Sequence, residues 1–198
     1  MSVVSNPIVV MKRYEMKYIM NPEQTEYFKK SVEGYMKIDK FGLTSIASLY
    51  YDTPNYRLIR TSVEKPPFKE KIRLRSYGIA TETSPVFLEL KRKAYGIVYK
   101  RRVQSTIPLV NKFFYGEGDI CAGGQIIYDR VAYFQPDGDL RLTIDHNPRY
   151  RYEDLNLTTS MEGNSLLKDG YTILEVKVQQ AVPLWLSKIL TDGHIYKG

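Results

Sequence analysis

Arginine at alternate positions is the feature of this sequence that could do chemistry. Lys71-Ile72-Arg73-Leu74-Arg75-Ser76-Tyr77-Gly78 alternates cation and aliphatic with a period of two, and Arg102, Arg130 and Arg141 fall in stretches of similar pattern. A guanidinium is a rigid planar fork that meets phosphate oxygens at two points, a preference that solubility alone does not require. Acids are interleaved with these cations. Glu15-Met16-Lys17, Glu89-Leu90-Lys91 and Glu175-Val176-Lys177 repeat one acid–apolar–base pattern, and Arg141-Leu142-Thr143-Ile144-Asp145 is a looser relative. An acid two places from a base shares its face of a strand. The arrangement serves either cross-strand ion pairing, with Glu15 and Glu89 holding cations in place, or a metal site beside a phosphate channel.

The bulk numbers narrow the chemistry. The chain has 198 residues, 43% hydrophobic and 26% charged, with a net charge of +7. These are globular values, and the length suits one domain spanning 1–198. The positive excess suits nucleic acid, an anionic membrane surface or a polyphosphorylated small molecule. Cys121 is the single cysteine, which rules out an intramolecular disulfide and fits a cytoplasmic location. His146 and His194 are the two histidines, too few for a Cys/His zinc site or a histidine-based nucleophilic relay. A metal must then be held by carboxylates, which favours Mg²⁺ or Mn²⁺. No run reaches the roughly 18 apolar residues of a membrane span, and residues 1–10 lack the charged start and apolar block of a signal peptide.

The elements that must position the charged residues are mostly strands. Val9 to Met20 alternates, with Arg13, Glu15 and Lys17 on one face and Tyr14, Met16 and Tyr18 on the other. Asn21-Pro22-Glu23-Gln24 predicts a helix start, with Asn21 as cap, Pro22 in the first turn and Gln24 closing a capping box. Ser45 to Asp52 is the next expected strand. Asp52-Thr53-Pro54 predicts a short helix over Asn55 to Arg60. Strands over Phe68–Tyr77, Val86–Lys93 and Ile97–Thr106, separated by short turns, make an antiparallel meander. Residues 107–124 contain a Phe/Tyr-rich piece with helical character. Strands over Gln125–Phe134, Leu140–Asp145 and Tyr171–Gln179 follow, with a turn at Pro136-Asp137-Gly138-Asp139 and a last helix over Pro183–Leu190.

An antiparallel sheet of about eight strands tends to close, because closure removes exposed edges. Two arrangements of the charged faces compete. Either Ile72, Leu74, Leu90 and Val176 fill a barrel and the cations face water, or the aliphatics lie outside under the helices and the cations line the bore. The apolar stripe of the first helix, which needs an apolar sheet face, and the preference for arginine favour the second. Burying so many cations then demands a polyanion in the site. The aromatics fall mostly opposite the cations, which argues against stacking on nucleic-acid bases.

Arg13-Tyr14-Glu15-Met16-Lys17-Tyr18, Tyr50-Tyr51-Asp52-Thr53-Pro54, Arg73-Leu74-Arg75-Ser76-Tyr77-Gly78, Phe87-Leu88-Glu89-Leu90-Lys91, Tyr128-Asp129-Arg130-Val131-Ala132 and Leu174-Glu175-Val176-Lys177 occur in an order and spacing that is specific as a set. Over about Arg13 to Leu190 the chain resembles the triphosphate tunnel metalloenzymes (the CYTH-like superfamily), and within them the catalytic domain of the vacuolar transporter chaperone (VTC) type, the polyphosphate polymerases. The resemblance implies an α+β fold, a closed eight-stranded antiparallel β-barrel with a few flanking helices and cations inside. It implies that Lys17, Arg73, Arg75, Lys91, Lys100 and Arg130, with Tyr128, hold a triphosphate, and that Glu175 matches the family's metal-binding glutamate for Mn²⁺ or Mg²⁺. Arg102, Arg141 and Lys177 join the phosphate-binding set by strand periodicity. The implied reaction passes the terminal phosphoryl group of ATP to a growing polyphosphate chain, with Lys17, Arg73, Arg75, Lys91, Arg130 and Glu175 as the catalytic set. A triphosphatase of the same fold and a non-catalytic polyphosphate-binding module are the alternatives. The resemblance also places a closing segment with a Ser-Lys pair after the last helix, where this sequence reads Ile195-Tyr196-Lys197-Gly198.

Overall fold

In the computed structural model of the chain, residues 9–10, 14–64, 66–95, 97–117 and 120–197 are described. In chain order the elements are β1 (Val9–Val10), β2 (Tyr14–Met20), α1 (Pro22–Val32), β3 (Lys37–Asp52), α2 (Arg57–Val63), β4 (Phe68–Tyr77) and β5 (Val86–Ala94). There follow β6 (Ile97–Ser105), α3 (Ile107–Glu117), β7 (Cys121–Phe134), β8 (Arg141–Arg151), β9 (Asn164–Ser165), β10 (Thr172–Val178) and α4 (Leu184–Asp192). They divide into two compact units, one of residues 1–12, 48–125 and 152–160, the other of residues 13–47, 126–151 and 161–198. Each unit is assembled from separated stretches of the chain. Among the described residues no helix is long and apolar enough to cross a membrane.

In the first unit β4, β5 and β6 form the antiparallel meander that their alternation and short turns predict. Gly78, with φ of 74°, takes the left-handed conformation that ends β4, which glycine adopts without steric penalty. Register places Arg75 opposite Phe87 and Arg73 opposite Glu89, so the cations of β4 share one face while Leu74 points to the other and is buried. The short helix starts later than the sequence suggests. Asp52 caps α2 from five residues upstream, its carboxylate accepting from the backbone N–H groups of Leu58 and Ile59 at 2.8 Å each. Tyr51 stacks on Phe114 of α3 with ring centroids 4.4 Å apart.

In the second unit β10 pairs antiparallel with β2 on one side and β8 on the other. Tyr18, Leu174 and Ile144 lie in one cross-strand row, and Met16, Val176 and Leu142 in the next. These rows form an apolar core with Phe28 and Val32 of α1 and Leu186, Ile189 and Leu190 of α4. Each fully buried side chain of this kind contributes about 1.5–3 kcal/mol. The predicted capping box is present: Gln24 N–H donates to Asn21 Oδ1 at 2.8 Å and Asn21 N–H donates to Gln24 Oε1 at 3.0 Å. The charged residues Lys17, Glu175 and Lys177 occupy the face away from these helices. In this unit the aliphatics face the helices, as the second arrangement requires.

The expected closed eight-stranded barrel is not what the strands form. Hydrogen-bonded neighbours run in the order β1-β6-β5-β4-β3-β7-β8-β10-β2, with β9 on β8, ten strands in a sheet that does not close on itself. The physical reason lies at the two ends of that order. The two residues of β1 pair with Tyr99 and Lys100 of β6. Tyr18 of β2 forms an isolated bridge to Lys197. Short segments thus take up backbone groups at both edges, which moderates the edge problem that closure would otherwise solve.

Candidate phosphate and metal site

The eleven residues singled out from the sequence divide between the two units. Arg73, Arg75, Lys91, Lys100 and Arg102 belong to the first; Lys17, Tyr128, Arg130, Arg141, Glu175 and Lys177 belong to the second.

Glu89 is the hub of the first group. Its side chain is 2% exposed, and cross-strand register sets it between Arg73 of β4 and Arg102 of β6. Arg73 donates from Nε to Oε2 at 2.6 Å. Lys100 Nζ and Arg102 Nε lie 3.0 and 3.5 Å from Oε1. Burial alone would raise the Glu89 pKa, but Arg73, Arg75 and Lys100 outweigh it and hold it at about 2. Glu89 is therefore an ion-pair partner that organises cations. Arg73 also donates to Tyr50 Oη at 3.3 Å. Burial works against its charge, yet Tyr50 and Glu89 keep its pKa above the ordinary arginine value. Arg75 is buried and donates to Ser48 Oγ at 3.3 Å. Arg102 lies over the Phe87 ring at 3.8 Å and donates to Tyr77 Oη at 3.0 Å, a stacked and hydrogen-bonded hold that fixes its plane.

Next to this node the register brings lysines opposite one another. Lys71, Lys91 and Lys100 lie directly opposite one another across β4, β5 and β6, and Lys69 lies opposite Lys93. On this face β4 carries Lys69, Lys71, Arg73 and Arg75, β5 carries Lys91 and Lys93, and β6 carries Lys100 and Arg102. Glu89 is the one carboxylate that β4, β5 and β6 contribute to it. An anion with several charges is the natural complement.

Glu175 organises the second group. It is buried, with Lys17 opposite it on β2 and Thr143 opposite it on β8. Lys177 Nζ lies 2.7 Å from Glu175 Oε2 and an Arg130 terminal nitrogen 3.8 Å from the same atom. Burial would raise the Glu175 pKa, but Lys177, Lys17 and Arg130 bring it down to about 2. Arg130 forks onto Asp145 at 2.6 and 2.7 Å and lies over the Tyr128 ring at 4.8 Å. Arg141 donates to the carbonyls of Gly138 and Leu140 at 3.3 and 3.0 Å.

Sequence reasoning passed over five residues. Asp145, which fixes Arg130, was visible only as the end of the loose Arg141-to-Asp145 pattern. Ser48 and Tyr50 fall two places apart in the expected strand over Ser45 to Asp52, without a sign that they meet Arg75 and Arg73. Lys69 and Lys93 matter only through register, which local sequence does not carry.

The donor set for a cation is sparse. Among the described residues no three His, Cys, Asp or Glu side chains gather to hold a metal ion. Both Asp145 oxygens accept from Arg130. Glu175 supplies a carboxylate, and beside it the buried hydroxyl of Thr143 has no hydrogen-bond partner. Such a set fits Mg²⁺ or Mn²⁺ that takes most of its ligands from phosphate oxygens and water, as these ions do at one or two protein carboxylates.

The model of the VTC domain family matches residues 12–123 and 123–198. The chain belongs to the VTC domain family. No curated protein matches it. Among solved structures, this VTC domain is similar in fold to a candidate adenylate cyclase of Vibrio parahaemolyticus, at 11% identity, with 96% of this chain and 94% of that chain covered and a TM-score of 0.58. It is similar to a protein of Pyrococcus horikoshii at 16% identity, covering 93% and 88% of the two chains, with a TM-score of 0.55. A candidate adenylate cyclase of Bacillus halodurans matches at 13% identity over 95% and 94%, again with a TM-score of 0.55. At these identities the likeness is one of fold, and it extends over nearly the whole VTC domain.

Proposed function

We propose that this VTC domain is a metal-dependent phosphotransferase that passes the terminal phosphoryl group of ATP to the end of an inorganic polyphosphate chain. The observation that carries the reading is the cation face of β4, β5 and β6, where Glu89 organises Arg73, Lys100 and Arg102 beside facing lysines. Membership of the VTC family adds to it.

In this reading an oxygen of the polyphosphate terminus attacks the γ-phosphorus of ATP. A new P–O bond forms, the bond between the γ-phosphorus and the β–γ bridging oxygen breaks, and ADP leaves with that oxygen and its electron pair. The attacking oxyanion needs no side-chain nucleophile and no proton removed. What the protein supplies is alignment and charge: phosphoryl transfer proceeds with charge spread over three equatorial oxygens. Arg73 and Arg75, held by Glu89, Tyr50 and Ser48, present guanidinium groups whose geometry is set before substrate arrives. Lys91, Lys100 and Arg102 neutralise further oxygens. In the second unit Lys17, Arg130 and Lys177 serve the same purpose around Glu175, the residue that would hold Mn²⁺ or Mg²⁺. The ion, when bound, neutralises phosphate-oxygen charge. A reducing, cytoplasmic location belongs to the same proposal and accords with the free Cys121.

The names of two fold relatives suggest a second reading, in which the same cations hold ATP for cyclisation, and hydrolysis by water in place of the polyphosphate terminus is a third. One assay separates them. Purified protein with ATP and Mn²⁺ is expected to yield ADP and phosphate chains that lengthen with time on a gel. Orthophosphate and ADP without chain growth would establish a hydrolase, and cyclic AMP with pyrophosphate a cyclase. Glu175→Gln is expected to abolish turnover in every case; nucleotide binding with no product from the unaltered protein would leave a binding module.

A further inference from the structure

Glu175 already has a cation at its oxygen. Lys177 Nζ lies 2.7 Å from Oε2, the side chains being 25% and 10% exposed. We propose that Lys177 is the resident counter-ion of Glu175 and that a divalent metal displaces it only as polyphosphate arrives, so that metal and polyanion bind as a coupled pair. The inference rests on the reading of Glu175 as the metal-holding carboxylate.

Three observations carry it. First, the surroundings of Glu175 are cationic before any metal enters. Lys17 lies opposite it, Arg130 is 3.8 Å away, and the Glu15–Lys177–Arg141 row is next along the sheet. Lys17, Arg130, Arg141 and Lys177 outnumber Glu15, Asp145 and Glu175 on this face. A dication added without an anion would meet net repulsion in a partly desolvated place.

Second, the two cations touching Glu175 differ in freedom. Arg130 is fixed by two hydrogen bonds to Asp145 and by the Tyr128 ring. Lys177 is a point charge on a flexible four-carbon stem, and its cross-strand neighbour Glu15 offers a second carboxylate toward which the ammonium can move. Incoming phosphate oxygens offer another.

Third, the Thr143 hydroxyl lies in the same cross-strand row as Glu175, buried and without a hydrogen-bond partner. A buried hydroxyl in that condition is unfavourable. It acquires a partner when Lys177 leaves and an ion with its water enters.

The experiment compares Mn²⁺ binding, followed by the electron paramagnetic resonance of free Mn²⁺, for the unaltered protein, Lys177→Met, Lys177→Gln and Glu175→Gln. Each is measured without polyanion and with one fixed concentration of tripolyphosphate, after circular dichroism has shown that the variant is folded. Without polyanion the unaltered protein is expected to bind Mn²⁺ weakly, and both Lys177 variants about tenfold or more tightly, the change expected for removing one close positive charge. Tripolyphosphate is expected to narrow that difference, because in its presence Lys177 has already left. If Glu175→Gln lowers Mn²⁺ binding in tripolyphosphate but neither Lys177 variant raises it in its absence, the counter-ion role is overturned and the metal reading stands. If Glu175→Gln changes Mn²⁺ binding in neither condition, the metal reading itself falls, and this proposal with it.

Discussion

Arg73 and Glu89 face each other directly across β4 and β5, with Nε of the guanidinium 2.6 Å from the carboxylate. That pair makes the candidate phosphate grip a prearranged object, because the arginine's plane is set by Glu89 on one side and Tyr50 on the other. Removing the acid should therefore act on folding and binding together. Glu89→Gln leaves Arg73, Lys100 and Arg102 near one another without their shared counter-charge. Since these partners keep 25–46% of their side-chain surface, solvent screening tempers the loss, which is expected at about 2–4 kcal/mol in urea unfolding. Tripolyphosphate should restore more stability to the variant than to the parent.

Arg73→Lys tests geometry against charge. The ammonium keeps the charge and loses the two-point fork, so kcat/KM for ATP is expected to fall by roughly 10- to 100-fold. Stability should change far less than in Glu89→Gln. An unaltered kcat/KM would mean that only the charge counts.

The acids Glu89 and Glu175 set an acid limit to stability. Each has an ordinary pKa of 4.5 and a folded value of about 2. A depressed folded pKa means that the unfolded chain binds the proton more readily. Each group's contribution is thus fully present above pH 4.5 and is lost as the pH falls from there toward 2. The loss should reach no more than about 3 kcal/mol for each group. Urea midpoints measured at several pH values should fall steeply inside that window. Glu89→Gln should flatten the fall.

The facing lysines predict a length dependence. Lys69 and Lys93 lie opposite each other two residues along the strands from Lys71 and Lys91. The double variant Lys69→Gln, Lys93→Gln should bind long polyphosphate about 3- to 10-fold more weakly, with a shallower dependence on salt, while tripolyphosphate binding changes little. Competition titrations at two salt concentrations would show it; equal losses for both ligands would contradict it.

Asp52→Ala removes the carboxylate that accepts from the N–H groups of Leu58 and Ile59. A lost helix cap of this kind destabilises by about 1–2 kcal/mol. Thermal unfolding should register it. Mn²⁺ binding in the second unit should be unaffected.

Local chemistry was legible where the partners are neighbours in sequence. The Asn21–Gln24 box, the turn at Gly78 and the alternation of Lys71 to Tyr77 each depend on residues within a few positions, and each appears in the structure as the residue types dictate. The division of aliphatic from charged faces was legible too, because a strand's period of two is written in the chain. The family followed from several such stretches taken together. Which acid meets which base was not legible. Glu89 meets Arg73 and Arg102, and Glu175 meets Arg130, because turn lengths and pairings set the register, and a one-residue slip would send such partners to the other face. Closure was a tertiary matter as well. Eight strands with hydrogen-bonding edges suggested a barrel, whereas Val9–Val10 on β6 and Lys197 beside Tyr18 take up backbone groups at the two ends of an open sheet. Residue types alone determined that this chain carries strand faces rich in cations. Long-range pairing decided which cations stand together on it and which carboxylate holds each of them in place.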